Sequence, residues 1–191
     1  MNKLVVASHN PKKLQELQAI LAQVGYQTIG ASEVHLPDVE ETEDTFVGNA
    51  TLKVESAFRH LNFPALADDS GFCVDALNGA PGVYSARYEG GYQRVLKEIA
   101  HLTKPNDRRA HFVCIIAYID ENGEQHNFEG RISGHIPMEP QGTAGFAYDP
   151  IFIPDGFDIT FAEMTAEQKH SLSHRGQALA KLVEHLRQKA K

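Results

Sequence analysis

The chain has no tryptophan, only two cysteines, and no apolar run long enough to cross a bilayer. Cys73 and Cys114 each sit inside an apolar stretch, where a thiol serves as a small core group. A disulfide framework is therefore excluded, and a reducing compartment is expected. The N-terminus shows no basic-then-apolar leader pattern, so the reading is of a cytoplasmic protein with no membrane partner. Positive charge is also in short supply. Lys and Arg number 18 against 25 Asp and Glu, a formal charge of −7, which offers no general attraction for a nucleic-acid backbone. Basic residues must then be read as local sites. The 42% hydrophobic content over 191 residues is enough for one domain with a substantial core. No repeat or low-complexity linker divides the chain, so residues 1–191 are expected to form a single domain.

Periodicity supplies the elements. Lys3 to Ser8 reads as a short buried strand, followed by a helix with Leu14, Leu17, Leu21 and Val24 on one face, stopping at Gly25. Tyr26 to Gly30 suits a second strand. A Pro- and Glu-rich loop leads to a helix carrying Val47, Ala50, Val54, Ala57 and Leu61, and a strand over 64–69 comes next. Residues 92–102 are expected to be helical. Ala110–Ile119 and Gln125–Ile136 read as long strands joined by a turn at 120–123, whose Asn-Gly pair favours a hairpin. A last helix is expected over about 173–190. The pattern predicts an α/β fold with a mixed central sheet flanked by helices, in which the hairpin region, about 105–140, could form a smaller lobe.

The strand over 64–69 drives into two adjacent acids, Asp68 and Asp69, and is expected to end there in a turn at Ser70-Gly71. Side-by-side carboxylates at the end of a core strand repel each other and lose hydration, a cost that a metal ion or an activated water would offset. Glu40 and Glu41 supply a second acidic pair. Hard oxygen donors of this kind suit magnesium, which needs only one or two carboxylates plus water and phosphate. Two helix starts then carry charge of the unexpected sign. Ser8-His9-Asn10-Pro11-Lys12-Lys13 offers Asn10 as a cap and Pro11 at the first helical position, yet places lysines against the positive end of the helix dipole. Ser173-His174-Arg175 repeats the pattern, with Lys169 shortly upstream. A polyanion seated on the free N–H groups would reverse the sign of those interactions. Lys53 shares a helix face with Asn49. Ten histidines are scattered along the chain, no zinc site is assigned from the sequence, and His101, His111, His126, His135 and His185 read as surface or satisfied structural residues.

In this order the pieces resemble the Ham1-like inosine triphosphatase family. The resemblance rests on Ser8-x-Asn10-x-x-Lys13, Glu41-Thr-x-x-Thr-Phe46-x-x-Asn49-Ala-x-x-Lys53, and Ala67-Asp-Asp-Ser-Gly71. It continues through Leu77-x-Gly-Ala-Pro-Gly82, Gly145-Phe-Ala-Tyr-Asp-Pro-Ile-Phe152 and Lys169-x-x-x-Ser-His-Arg-Gly176, spanning nearly the whole chain. It implies a Mg²⁺-dependent homodimer that cleaves non-standard purine nucleoside triphosphates (inosine, deoxyinosine, xanthosine) between the α and β phosphates. It also implies roles. Asp69 would be the general base and a metal neighbour, with Glu41 or the adjacent Glu40 completing the metal site. Residues Ser8, His9, Asn10, Pro11, Lys12 and Lys13, with Lys53, Ser70 and Lys169, would hold the phosphates. Phe146, Ala147, Tyr148 and Asp149 would wrap the base, and His174 with Arg175 would read its edge. One departure stands out: Glu89-Gly-Gly91 leads straight to Tyr92, where the family usually carries a longer loop.

Three other readings compete. A phosphatase forming an aspartyl-phosphate needs Asp-x-Asp, which Asp68-Asp69-Ser70 lacks. A Maf-like nucleotide pyrophosphatase would differ in the base it prefers. A purine nucleotide sensor would bind without needing Asp69 as a base.

Overall fold

Alternating apolar strands and half-apolar helices near the N-terminus build the parallel part of one sheet. The computed structural model describes residues 2–145 and 147–189, without the side chains of Lys12 and Glu16. Phe146 and the Lys12 side chain, both expected at the site, thus lie outside the described residues. Strand β1 (Asn2–Val6) buries Leu4, Val5 and Val6 consecutively, as a strand covered on both faces must. It pairs in parallel with β2 (Tyr26–Gly30), Leu4 opposite Thr28, and with β3 (Ala65–Val74), Val5 opposite Ala65. Strands β4 (Arg109–Ile119), β5 (Gln125–His135) and β6 (Ile153–Pro154) complete the order β2-β1-β3-β4-β5-β6, with β6 antiparallel to β5. The sheet is mixed, as expected.

The helices start where the side chains cap them. In α1 (Pro11–Ala22), Asn10 Oδ1 accepts the Lys13 N–H at 3.3 Å and Pro11 takes the first position, while Leu17 and Leu21 are buried. In α2 (Phe46–Leu61), Thr45 Oγ1 accepts the Gly48 N–H at 3.0 Å, and the helix stops at Asn62 in the left-handed region. The remaining helices are α3 (Gly91–Glu98), α4 (Ala166–Leu172) and α5 (His174–Lys189). The abbreviated segment after Tyr88 is a tight turn, with the Gly91 N–H donating to Tyr88 O at 2.8 Å and α3 starting at once. The expected last helix is α5; the unexpected α4 ends just before it, because Ser173 leaves helical geometry and caps α5, its Oγ accepting the Gly176 N–H at 3.1 Å.

One expectation needs correcting. The chain does not turn after Asp69: β3 continues through Asp68, Asp69, Ser70 and Gly71 to Val74. Both acids are buried at 6% exposure, inside the strand. The rule that charge ends a strand presumes that no partner waits there, and in this fold lysines do.

Two compact units make up the chain. The first comprises Met1–Asp69, Ile115–Glu129 and Ala178–Lys191; the second comprises Ser70–Cys114 and Gly130–Gln177. Strands β3, β4 and β5 and helix α5 each contribute to both. The first unit is aliphatic, built on β1, the apolar faces of α1 and α2, and Leu179, Leu182 and Leu186 of α5. The second is aromatic. Phe112 lies 4.8 Å from Phe72 and 4.9 Å edge-on from Phe152, which in turn lies 5.0 Å from Phe161. Such pairs contribute about 0.5–1.5 kcal/mol each beyond burial. Arg108, 2% exposed, braces this unit by donating to four main-chain carbonyls. Its Nε bonds Ile136 O at 2.8 Å, Nη1 bonds Ile99 O and Leu102 O, and Nη2 bonds Pro137 O at 2.7 Å.

Candidate active site

In the first unit the end of β1 is tied to β3, the Ala7 N–H donating to Leu66 O at 2.8 Å. That bond sets the loop Ser8–Asn10 beside the acidic part of β3. A cleft of about 260 Å³ opens there, lined by Ser8, His9, Asn10 and Lys13 on one side. Glu41, Lys53 and Asp68 line it as well. Lys13 Nζ lies 2.8 Å from Asp68 Oδ2, a pair whose side chains are 24% and 5% exposed. Lys53 Nζ lies 2.8 Å from Glu41 Oε1 and 3.7 Å from Asp69 Oδ1. Neighbouring strand residues face opposite ways, so the two acids take different cations. Three carboxylates thus meet two ammonium groups.

Electrostatics separate the two chemistries. Burial pushes the Asp69 carboxyl up to about 6; Glu41 and Asp68 add to the rise, while Lys53 and a hydrogen bond with Asn49 oppose it. A carboxylate tuned close to neutral is suited to taking a proton from water. Burial works against the Lys53 ammonium, but Asp69, Asp68 and Glu41 outweigh it and hold the lysine above its ordinary value. Lys53 stays charged. Of the two neighbouring acids, Glu41 is half-buried at Lys53 and Glu40 is exposed. Asn49, fully buried, also fixes the approach to α2: its Oδ1 accepts the Glu43 N–H at 3.0 Å and its Nδ2 donates to Glu43 O. His9 Nε2 stands 3.2 Å from the exposed Asp38. Pro11 is exposed at the start of α1.

The other expected residues belong to the second unit. Lys169 Nζ bonds Asp149 Oδ2 at 2.5 Å, and Asp149 is 3% exposed. The segment before Asp149 is unusual in its backbone, with Ala147 at φ 52°, where a Cβ is disfavoured. Gly145 is required too, since a Cβ there would strike the Asp149 carboxylate. Tyr148, expected with its neighbours to wrap the base, has its side chain turned into the core. Its ring is buried, stacked on Phe72 at 5.0 Å, and its hydroxyl donates to Ser85 O at 2.8 Å. That aromatic side chain belongs to the core. His174, 9% exposed, lies flat on Phe112 with centroids 4.8 Å apart, which fixes the ring plane at the start of α5. Arg175 is half-buried beside it, and Ser70 is half-buried in β3.

Two contributors went unnoticed in the sequence. The Lys13–Asp68 pair joins residues far apart in the chain, and no local pattern signals it. Leu36, Pro37 and Val39, which also line the cleft, lie in the loop after β2, where Pro37 was the only cue.

Comparison with known proteins places the chain in a family. The model of the Ham1 family matches residues 4–185. A dITP/XTP pyrophosphatase of Ruegeria pomeroyi (strain ATCC 700808 / DSM 15171 / DSS-3) is 44% identical over 189 residues, covering 94% of this chain and 93% of that protein. One of Gluconobacter oxydans (strain 621H) is 46% identical over 182 residues, covering 93% and 88%. The structure of the Staphylococcus aureus Ham1 protein superposes with a TM-score of 0.90 at 40% identity, covering 98% of this chain and 100% of that one.

Proposed function

As the chain belongs to the Ham1 family, we propose that it is a hydrolase of non-standard purine nucleoside triphosphates, dITP, ITP and XTP, releasing the monophosphate and pyrophosphate and so keeping such nucleotides out of DNA and RNA. The observation that carries this reading is the cluster of Lys13, Lys53, Glu41 and Asp68 around one cleft at the start of α1, with Asp69 3.7 Å from Lys53 Nζ.

A triphosphate brings roughly four negative charges, and phosphoryl transfer is catalysed mainly by positioning and neutralisation. Lys13 and Lys53, beside the positive end of the α1 dipole, are suited to binding the phosphates. Ser8, His9, Asn10, Pro11 and Lys12 frame that end of the helix, and Ser70 and Lys169 are further phosphate ligands in this reading. Asp69 takes the proton of the attacking water, for which it must be ionised. The donor set fits magnesium: the carboxylates outnumber the ammonium groups and are hard oxygen ligands. Glu41 and Asp69 would hold the ion, with Glu40 a more distant candidate; once bound, it supplies charge neutralisation to the phosphates.

Base choice rests on donors. Inosine and xanthosine carry a 6-keto acceptor where adenine carries an amino donor, so His174 and Arg175 would satisfy the first and oppose the second. Phe146, Ala147 and Asp149 border the base in this reading, with the Tyr148 contribution limited to its main chain. The protein is further proposed to act in the cytoplasm as a homodimer. Among the described residues, no helix is long and apolar enough to cross a membrane. Tyr84, Met138 and Phe157 are large exposed apolar side chains suited to a second copy.

The test is incubation of the purified protein with Mg²⁺ and a panel of triphosphates, followed by identification of products. Pyrophosphate plus monophosphate from dITP supports the reading. Orthophosphate plus diphosphate places the cleavage elsewhere, hydrolysis confined to other bases supports a Maf-like specificity, and no product favours a sensor.

A further inference from the structure

The turn between β4 and β5 gathers chemistry that phosphate hydrolysis does not use. Asp120, fully buried, organises the turn through Oδ1, which accepts the N–H of Asn122 at 2.8 Å and of Glu124 at 2.9 Å. Its Oδ2 is left for cations and already holds the ammonium of Lys189 from α5. His126 Nε2 stands 3.8 Å from that same Oδ2 and 4.0 Å from Glu124 Oε1. One ligand atom from each of Asp120, Glu124 and His126 lies within 4.8 Å of the others. The ring of His185, also from α5, sits 4.3 Å from that of His126. Both imidazole Nε2 atoms are buried, and among the described residues neither has a hydrogen-bond partner. The expectation that these two histidines are satisfied structural residues is thereby corrected.

We propose that Asp120, Glu124 and His126 form a site for a divalent transition metal of the zinc class, with His185 placed to add a fourth nitrogen. A lysine–aspartate pair alone accounts for Oδ2 but leaves two imidazole nitrogens unbonded in a buried setting, which costs free energy. Mixed nitrogen and carboxylate donors suit zinc better than magnesium. The separations of 3.8 and 4.0 Å are too long for hydrogen bonds. They exceed by only about 0.5 and 0.7 Å the ~3.3 Å that two ligands keep around a tetrahedral ion at ~2.0–2.1 Å. Glu124 is on the surface of the turn and free to close that gap. Lys189 is the built-in competitor. A dication displaces it from Asp120, and Glu121, 3.8 Å from its Nζ, receives it. The ion would join the β4–β5 turn to the end of α5, adding to the His126–His185 ring contact and the Lys189 ion pairs already there. Sequence spacing hid the site because its ligands run Asp-x-x-x-Glu-x-His across a turn, and its fourth nitrogen comes from another element.

The experiment uses the untagged, metal-stripped chain titrated with Zn²⁺ by calorimetry. One tight equivalent is expected, weakened by at least about tenfold in His126→Ala, less so in His185→Phe, and retained in Glu41→Gln. Lys189→Met should tighten it, because the competitor is gone. Zn²⁺ binding that is absent, or unchanged in His126→Ala, overturns the proposal. As a check that needs no folded variant, imidazole nitrogen resonances of the wild type are followed during the titration. Shifts at His126 and His185 support the site, and shifts confined to other histidines overturn it.

Discussion

Lys53 Nζ lies 3.7 Å from Asp69 Oδ1, near enough to attract the carboxylate and too far to hydrogen-bond it, because the ammonium is already 2.8 Å from Glu41. Asp69 is therefore left with partial compensation, and burial holds it near 6. The same incompleteness that costs stability keeps a base close to its working range.

The first consequence concerns stability in metal-free buffer. The Asp69 carboxyl is raised from 3.8 to about 6, so the folded chain holds its proton more tightly than the unfolded chain does. Stability from this group is present below pH 3.8 and is lost as pH rises toward about 6. Asp69→Asn, which mimics the neutral acid, should raise stability at pH 7 by roughly 2–3 kcal/mol and leave it unchanged near pH 3. Urea unfolding at the two pH values checks this, and an equal effect at both would remove the electrostatic explanation.

Removal of the Lys53 charge should act on the reaction beyond its cost to stability. Lys53→Gln is expected to lower kcat/KM for dITP by ~10²–10³-fold, the scale of losing one preorganised charge contact in the transition state. Steady-state pyrophosphate release measures it. A wild-type rate would show that Lys53 only balances Glu41.

Arg175 is assigned to discrimination. Arg175→Ala should narrow the dITP-over-dATP ratio of kcat/KM by about 10–100-fold, as a buried donor–donor clash disappears. Competition assays with both nucleotides read the ratio directly. An unaltered ratio removes Arg175 from base reading.

Arg108 has a purely architectural part. In Arg108→Met its four carbonyl partners would lose these donors, Ile99 O keeping its main-chain bond from the Leu102 N–H, and a loss of about 3–5 kcal/mol is expected. Urea unfolding followed by tyrosine fluorescence tests it. A loss below about 1 kcal/mol would mean that water replaces the guanidinium.

Periodic features were legible in the sequence because they are local. The stripe of Leu17 and Leu21, the Asn10 and Ser173 caps, and the Asn-Gly turn each stand where the residues indicate. Helix α4 was legible and overlooked: Thr165 and Gln168 form a reciprocal cap, the Thr-x-x-Gln pattern that marks a helix start. What escaped depended on distant partners. Asp68 stays within a strand because Lys13 neutralises it, and the Tyr148 ring is drawn into the core by Phe72. His126 meets His185 only after α5 has packed, and no spacing along the chain could have announced that pair.

The most direct measurement compares Asp69→Asn with the wild type on dITP and Mg²⁺, recording product identity, turnover and nucleotide affinity together. The account predicts pyrophosphate and dIMP from the wild type, and a variant that still binds dITP but has lost nearly all turnover. A variant that turns over at the wild-type rate would contradict it, because water would then be activated without the carboxylate at Asp69.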